Sequence, residues 1–193
     1  SKERIYVTEK FDYNTDYLIW GDDNESIYFV ACVEAKTQLY NAYIHTKEIK
    51  PITTGVHDYE SCSLAGDKLI AVRHSMSKPN EVYSVDIQTG QEKELSFENK
   101  EILEQLTMGR TEERWIETTD GKRMLTWVVY PPNFDPNKKY PAILYCQGGP
   151  QSTVSQFWSY RWNLQIMAAN GYIIVAPNRR GLPGFGQEWL EQI

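Results

Sequence analysis

The stretch from Tyr140 to Gly186 restricts the possible folds more than any other part of the chain. It opens with the apolar run Ala142-Ile143-Leu144-Tyr145-Cys146, followed by a tight Gln147-Gly148-Gly149-Pro150. From about Ser155 to Asn170, Phe157, Trp158, Trp162, Ile166 and Ala169 fall at helical spacing, which predicts a helix there. Gly171 stands where a helix C-terminus takes a left-handed residue. A second apolar run, Tyr172 to Ala176, leads to Gly181, Gly184 and Gly186. Strand, glycine turn, helix and strand make a βαβ unit. Apolar runs without alternation read as parallel strands covered on both faces. Ligands of such sheets sit at the carboxyl ends of the strands. Both glycine loops, 147–150 and 181–186, fall at carboxyl ends, so they share one edge and can build one site together.

Residues 1–99 read differently, as strands joined by turns. Ser26 to Ala31 and Leu39 to Ile44 are two apolar runs; Lys68 to Val72 and Glu81 to Ile87 repeat the pair. The repeat distance is about 42 residues, the blade period of a β-propeller. Asp22-Asp23-Asn24 and Ala65-Gly66-Asp67 supply turns before each pair, and Gln88-Thr89-Gly90-Gln91 closes the second. This amounts to about two blades, and a closed propeller needs four or more.

Residues 100–112 read as a linker with a short helix carrying Ile102, Leu103 and Leu106. From Glu113 the chain forms a hairpin across Thr119-Asp120-Gly121-Lys122, since Asp-Gly between strand-like runs is a strong hairpin signal. Pro131-Pro132 ends the second strand. An antiparallel hairpin, then a parallel strand, glycine loop, helix and strand is how an α/β-hydrolase domain begins. The expected organisation is all-β plus α/β: propeller blades over 1–99, a linker over 100–112, and the N-terminal part of an α/β-hydrolase domain over 113–193.

Size and charge narrow the partners. The chain has 193 residues with 6 Trp and 13 Tyr, enough for a substantial core. Net charge is −6 and no basic cluster stands out, which argues against nucleic acid and anionic membranes. No apolar run approaches the ~18 residues of a membrane span. The N-terminus SKERIYVTEK is not a signal peptide, and a removed signal stays open. Cys32, Cys62 and Cys146 lack CxxC spacing and read as small core residues, with Cys146 in a buried-type strand. No metal or cofactor is expected.

Over Glu113–Gly186 the chain resembles the prolyl oligopeptidase family of serine peptidases, in its dipeptidyl-peptidase and acylaminoacyl-peptidase branches. The residues that carry the resemblance are Asp120-Gly121, Pro131-Pro132-x-Phe134-Asp135-Pro136, Lys139-Tyr140-Pro141 and Gly148-Gly149-Pro150. They continue with Asn170-Gly171-Tyr172 and Asn178-x-Arg180-Gly181-x-x-Gly184-Phe185-Gly186. The resemblance implies a propeller capping a hydrolase, a short-peptide substrate and release of short N-terminal peptides. It also implies a nucleophile on a Gly-x-Ser-x-Gly elbow, then an acid and a histidine. No such elbow occurs here, so all three are expected beyond Ile193 and the chain alone is expected to be inactive. His45, His57 and His74 all fall in the propeller half and read as blade or surface residues. A homo-oligomer of the longer enzyme stays open, as does a periplasmic or cytoplasmic location.

For acyl transfer, donors aimed at the developing oxyanion are worth about 3–4 kcal/mol each. In α/β-hydrolases one donor comes from the loop between the third strand and the first helix, which here is Gln147-Gly148-Gly149-Pro150. The alternative is a tight strand-to-helix turn without a catalytic part. Position 147 departs from the family, where acylaminoacyl peptidases usually carry His and dipeptidyl peptidases carry Tyr. The amide of Gln147 is a candidate replacement donor, with a backbone-only donor as the alternative. Arg180 is a candidate bidentate clamp for substrate, or else an ion pair holding its loop. Leu182-Pro183 replaces the small Ser usual after Arg-Gly in the family. Trp158 and Trp162 are candidates for a specificity pocket, or else helix-to-core packing. Two other readings stand beside the peptidase: an esterase or other acyl hydrolase on the same fold, and a propeller binding scaffold.

Overall fold

The computed structural model describes residues 4–149 and 151–193. Twelve strands in these residues form three four-stranded sheets. The first holds β1 (Asp16–Trp20), β2 (Ser26–Val33), β3 (Lys36–Tyr43) and β4 (Ile49–Pro51). The second holds β5 (Asp58–Ala65), β6 (Lys68–Ser75), β7 (Lys78–Asp86) and β8 (Glu92–Glu94). Both are antiparallel meanders in sequence order. β2 and β6 start 42 residues apart, and so do β3 and β7. These are the two propeller blades the repeat anticipates.

The apolar runs in the first blade lack alternation because both faces are covered. Tyr28, Val30 and Leu39 pack with Tyr59, Leu69 and Val85 of the second blade. Phe29, Ala31, Tyr40 and Ala42 face the other way, under Val7 and Phe11. Phe11 meets Phe29 and Tyr40 edge-on at 5.6 and 5.5 Å, the arrangement the ring quadrupoles favour.

The third sheet has β9 (Thr111–Glu117), β10 (Arg123–Val129), β11 (Ala142–Leu144) and β12 (Ile173–Pro177), in the order β11-β12-β10-β9. β9 and β10 pair antiparallel from Glu117↔Arg123 across the Asp-Gly turn. β11 and β12 pair in parallel, Ala142↔Ile173 to Leu144↔Val175. Three short helices complete the elements: α1 (Lys100–Leu103), α2 (Leu164–Ala169) and α3 (Gln187–Leu190).

Three expectations need correction. The helix is shorter than its periodicity suggests. Asn163 caps α2, its Oδ1 accepting from the backbone N–H groups of Gln165 (2.9 Å) and Ile166 (3.1 Å). Ahead of it, Ser159 Oγ accepts from Trp162 N at 2.9 Å, a side-chain turn that competes with helix. Phe157, Trp158 and Trp162 therefore lie outside the helix. Second, β11 is an edge strand of the described sheet, with Leu144 62% exposed, and β12 alternates, burying Ile174 and Ala176 only. Among the described residues, cover comes from one side. Third, Cys146 is exposed, because the hydrogen-bonded strand ends before it.

The blades meet the third sheet by their hairpin tips. Ala35, in the two-residue β2–β3 turn, and Met76, in the β6–β7 turn, are buried in the same core cluster as Leu125, Trp127, Val154 and Ile174. Lys36 Nζ pairs with Glu113 at 2.9 Å, and Gln165 Nε2 donates to Ser77 Oγ at 2.9 Å. Packing of tips into a sheet, rather than face on face, leaves the carboxyl edge of β11 and β12 beside the first blade.

Candidate functional site

The two glycine loops converge at that edge. Tyr145 N still donates to Val175 O at 2.8 Å, so β11 leaves the sheet beside β12 and enters the loop at Gln147. Gln147 is half-buried; Gly148 and Gly149 are exposed. Pro150, named with them, lies outside the described residues. Gly149 has φ +129, a conformation that side-chain-bearing residues rarely adopt, and a Cβ there would sit 3.3 Å from Ser152 Cβ. At Gly148 a Cβ would meet nothing within 4 Å.

The chain after the loop is tied to the second glycine loop. Gln151 Nε2 donates to Leu190 O at 3.2 Å and Thr153 Oγ1 to Pro183 O at 2.7 Å. Asn178, fully buried at the carboxyl end of β12, bonds both backbone groups of Val154. Trp127 Nε1 donates to the same Val154 carbonyl at 2.9 Å. Asn178 stands in the Asn-x-Arg-Gly motif, and its position straight after an apolar strand was the available signal. Nothing in the sequence pointed to Val154 as its partner.

The second loop is held from two further directions. Glu34 N, in the first blade's hairpin tip, donates to Gly184 O at 2.7 Å. A Cβ at Gly184 would stand 3.3 Å from Cys32 Sγ, so the blade approaches as closely as a glycine permits. Asp12 Oδ2 accepts from Gln187 N at 3.1 Å, serving the first turn of α3 from the N-terminal segment. Burial pushes the Cys32 thiol up to about 12, which keeps it protonated and unreactive at neutral pH.

Arg180 pairs with Asp120 of the β9–β10 turn, and its guanidinium lies 4.7 Å from the Trp189 ring centre. The Thr118 hydroxyl, and then Arg180, hold the Asp120 carboxyl below its usual range. This pair joins the second glycine loop to the β9–β10 turn. Trp158 and Tyr160 border an apolar cleft of about 230 Å³ together with Leu106, Met108 and Ile166. Trp162 is 52% exposed beneath Arg161. Among the described residues no hydrogen bond or ring contact joins either tryptophan to residues 147–149. The histidines make blade contacts: His57 meets Tyr59 edge-on at 5.3 Å, and His74 Nε2 lies 3.8 Å from the buried Asp58. His45 is exposed. Among the described residues no helix is long and apolar enough to cross a membrane, and no three His, Cys, Asp or Glu side chains are grouped to hold a metal.

Residues 158–193 match the sequence model of the prolyl oligopeptidase family. The chain is 55% identical to dipeptidyl-peptidase 5 of Porphyromonas gingivalis over 191 residues, covering 99% of this chain and 28% of that protein. It is also 55% identical to dipeptidyl-peptidase 5 of Porphyromonas endodontalis over 168 residues, 87% of this chain and 24% of that one. Among solved structures, an acylaminoacyl peptidase of Pyrococcus horikoshii superposes with a TM-score of 0.81 at 24% identity, over 95% of this chain and 28% of that one. Dipeptidyl peptidase 4 of Porphyromonas gingivalis superposes with a TM-score of 0.71 at 20% identity, over 93% of this chain and 26% of that one. At those identities the superpositions speak for the fold. The chain spans about a quarter of the length of the curated relatives it matches.

Proposed function

We propose, proceeding from the resemblance to the prolyl oligopeptidase family, that this chain is part of a serine peptidase that releases short peptides from the N-termini of its substrates. In this reading residues 1–99 are two blades of the capping propeller, 100–112 the linker and 113–193 the start of the hydrolase domain. The observation that carries the proposal is the Gln147–Gly149 loop at the carboxyl end of β11. It leaves a strand parallel to β12 and passes through a residue with φ +129 at Gly149. The 55% identity to dipeptidyl-peptidase 5 supports the substrate class.

The chemistry assigned to the loop is electrostatic. Attack on a peptide carbonyl puts negative charge on its oxygen. A backbone N–H of Gly148 or Gly149 donates to that oxygen, and the Gln147 amide is a second donor where the family carries His or Tyr. Pro150 has no N–H and cannot be a donor. Arg180 serves the site by holding its loop against Asp120 rather than by clamping substrate. Trp158 enters only as a wall of the cleft beside the linker, and Trp162 lies exposed beneath Arg161. The nucleophile, acid and base come from residues outside this chain.

Three experiments test the proposal. Purified 1–193 should take up no fluorophosphonate probe, whereas the full-length protein should be labelled at one serine and hydrolyse dipeptidyl arylamides. In the full-length protein, Gly149→Val should abolish turnover while slow labelling persists. Gln147→Ala separates the donors: a side-chain donor lowers kcat and kcat/KM together, by at most about 10²–10³-fold. A backbone-only donor leaves kcat nearly intact. A folded Gly149→Val enzyme with near wild-type kcat would remove the loop from the mechanism.

A further inference from the structure

We infer that Asn178 is a positioning residue for the 147–149 loop, an inference that rests on the oxyanion role proposed above. The loop itself has little to hold it: Gly148 and Gly149 are exposed, and the space at Gly148 is open within 4 Å. Its position is inherited from the two ends. The upstream end is Tyr145, bonded to β12 through Val175. The downstream end is Val154, fully buried, and there the tie is a side chain rather than a strand.

Asn178 Oδ1 accepts from Val154 N at 2.9 Å, and Asn178 Nδ2 donates to Val154 O at 3.0 Å. One planar amide thus stands in for a strand partner, offering one acceptor and one donor to the two groups of a single residue. Asn178 is itself fixed, because its backbone N–H donates to Leu125 O at 2.9 Å. The strand bond at Tyr145 and the amide pair at Val154 therefore refer to the same short stretch, Val175 to Asn178, while Gln151 and Thr153 between them tie to Leu190 and Pro183. An aspartate cannot supply the donor. An aliphatic residue would leave the Val154 N–H buried without a partner. The Val154 carbonyl would keep the Trp127 bond in either case. Oxyanion donors tolerate little displacement: an error of about 1 Å can lower turnover about 10²-fold. Asn178 therefore acts on catalysis without touching substrate.

The test uses the full-length protein, with active serines titrated by a fluorophosphonate and turnover read on a dipeptidyl arylamide. Asn178→Ala should lower kcat per titrated serine by about 10–100-fold with KM changed less than about twofold, as displacement of a donor requires. Trp127→Phe removes the other tie to the Val154 carbonyl while leaving the Asn178 pair, and should show the same split at smaller size. Asn178→Ser, which retains a small polar group, covers the case in which the alanine variant fails to fold, and should show the same split at smaller size. If kcat per titrated serine stays at wild type in the serine variant, and only the titratable fraction or the melting temperature falls, Asn178 is purely structural and the inference is wrong. Gly149→Val keeps the two ideas apart. An inactive Gly149→Val beside unaffected Asn178 variants overturns this inference alone; an active Gly149→Val overturns the oxyanion reading beneath it.

Discussion

The blades and the third sheet reach similar four-stranded sheets by opposite routes. Every blade strand pairs with its neighbour in sequence, across short turns. In the third sheet β12 lies between β11 and β10, and the glycine loops are held by side chains far away in the chain. Asn178 reaches Val154, Thr153 reaches Pro183, and Arg180 reaches Asp120. Local pairing secures a blade wherever the apolar pattern and turns agree. The site edge instead depends on individual polar contacts, each able to shift the loop without unfolding the sheet. Stability and site geometry should therefore separate in the third sheet and coincide in the blades.

The largest test of that contrast compares two core truncations. Trp127→Ala should cost about 3–5 kcal/mol, and Leu69→Ala in the blade core about 2–5 kcal/mol. Trp127 also holds the Val154 carbonyl, so its loss should speed amide exchange across 151–156, while Leu69→Ala should leave that segment protected. Urea unfolding gives the first quantity and hydrogen exchange the second. Equal protection of 151–156 in both variants would break the comparison.

A smaller effect is expected at Glu92, a polar tie inside the second blade. Tyr59 donates to it at 2.8 Å, Arg73 pairs with it, and His57 Nε2 stands 3.4 Å away. Burial alone would raise its carboxyl, but His57, Tyr59 and Arg73 together outweigh burial and hold it below its usual 4.5. A lowered folded value means the stabilisation is present above the unfolded value and is lost as pH falls through the folded one. The wild-type protein should therefore lose stability as pH drops below about 4.5, and Glu92→Gln should flatten that acid limb. At pH 7 the substitution should cost about 1–3 kcal/mol, and urea midpoints measured from pH 3 to 7 would show both effects. An unchanged acid limb would mean that the blade is held by its apolar faces alone.

The smallest effect concerns the cysteines. Burial pushes Cys32 up to about 12 and Cys62 up to about 11, whereas Cys146 is exposed at the mouth of the loop. At pH 8 Ellman's reagent should titrate one thiol in the native protein and three after unfolding. Cys146→Ser should remove the native signal and shift stability by less than about 0.5 kcal/mol. Fast reaction at Cys32 or Cys62 would show that the blade packing is looser than its contacts describe.

The blades were legible because their information is local. The 42-residue repeat, the Asp120-Gly121 hairpin and the parallel β11/β12 pair follow from periodicity and turn chemistry alone. The helix before β12 is shorter than its pattern because aromatic spacing at Phe157, Trp158 and Trp162 resembles a helical face, whereas Ser159 and Asn163 bind the backbone and delay the helix to Leu164. The apolar neighbours of Cys146 suggest burial, yet burial depends on what covers a strand, and β11 is an edge of the described sheet. Gly148 and Gly149 stood out as a loop, with their family role implied by resemblance. What holds them did not stand out, since a buried asparagine looks like any other in a sequence.

Taken by itself, the sequence determined where strands begin and turn, that two blades precede a parallel βαβ unit, and that two glycine loops share one sheet edge. Those features rest on alternation, spacing and backbone freedom, which act over a few residues. Only the tertiary structure decided that blade tips enter the third sheet's core, that Arg180 is engaged by Asp120, and that Asn178 anchors Val154. The two polar pairings join residues 24 and 60 positions apart, and a polar side chain's partner is set by which unpaired polar group lies within reach once the chain has packed.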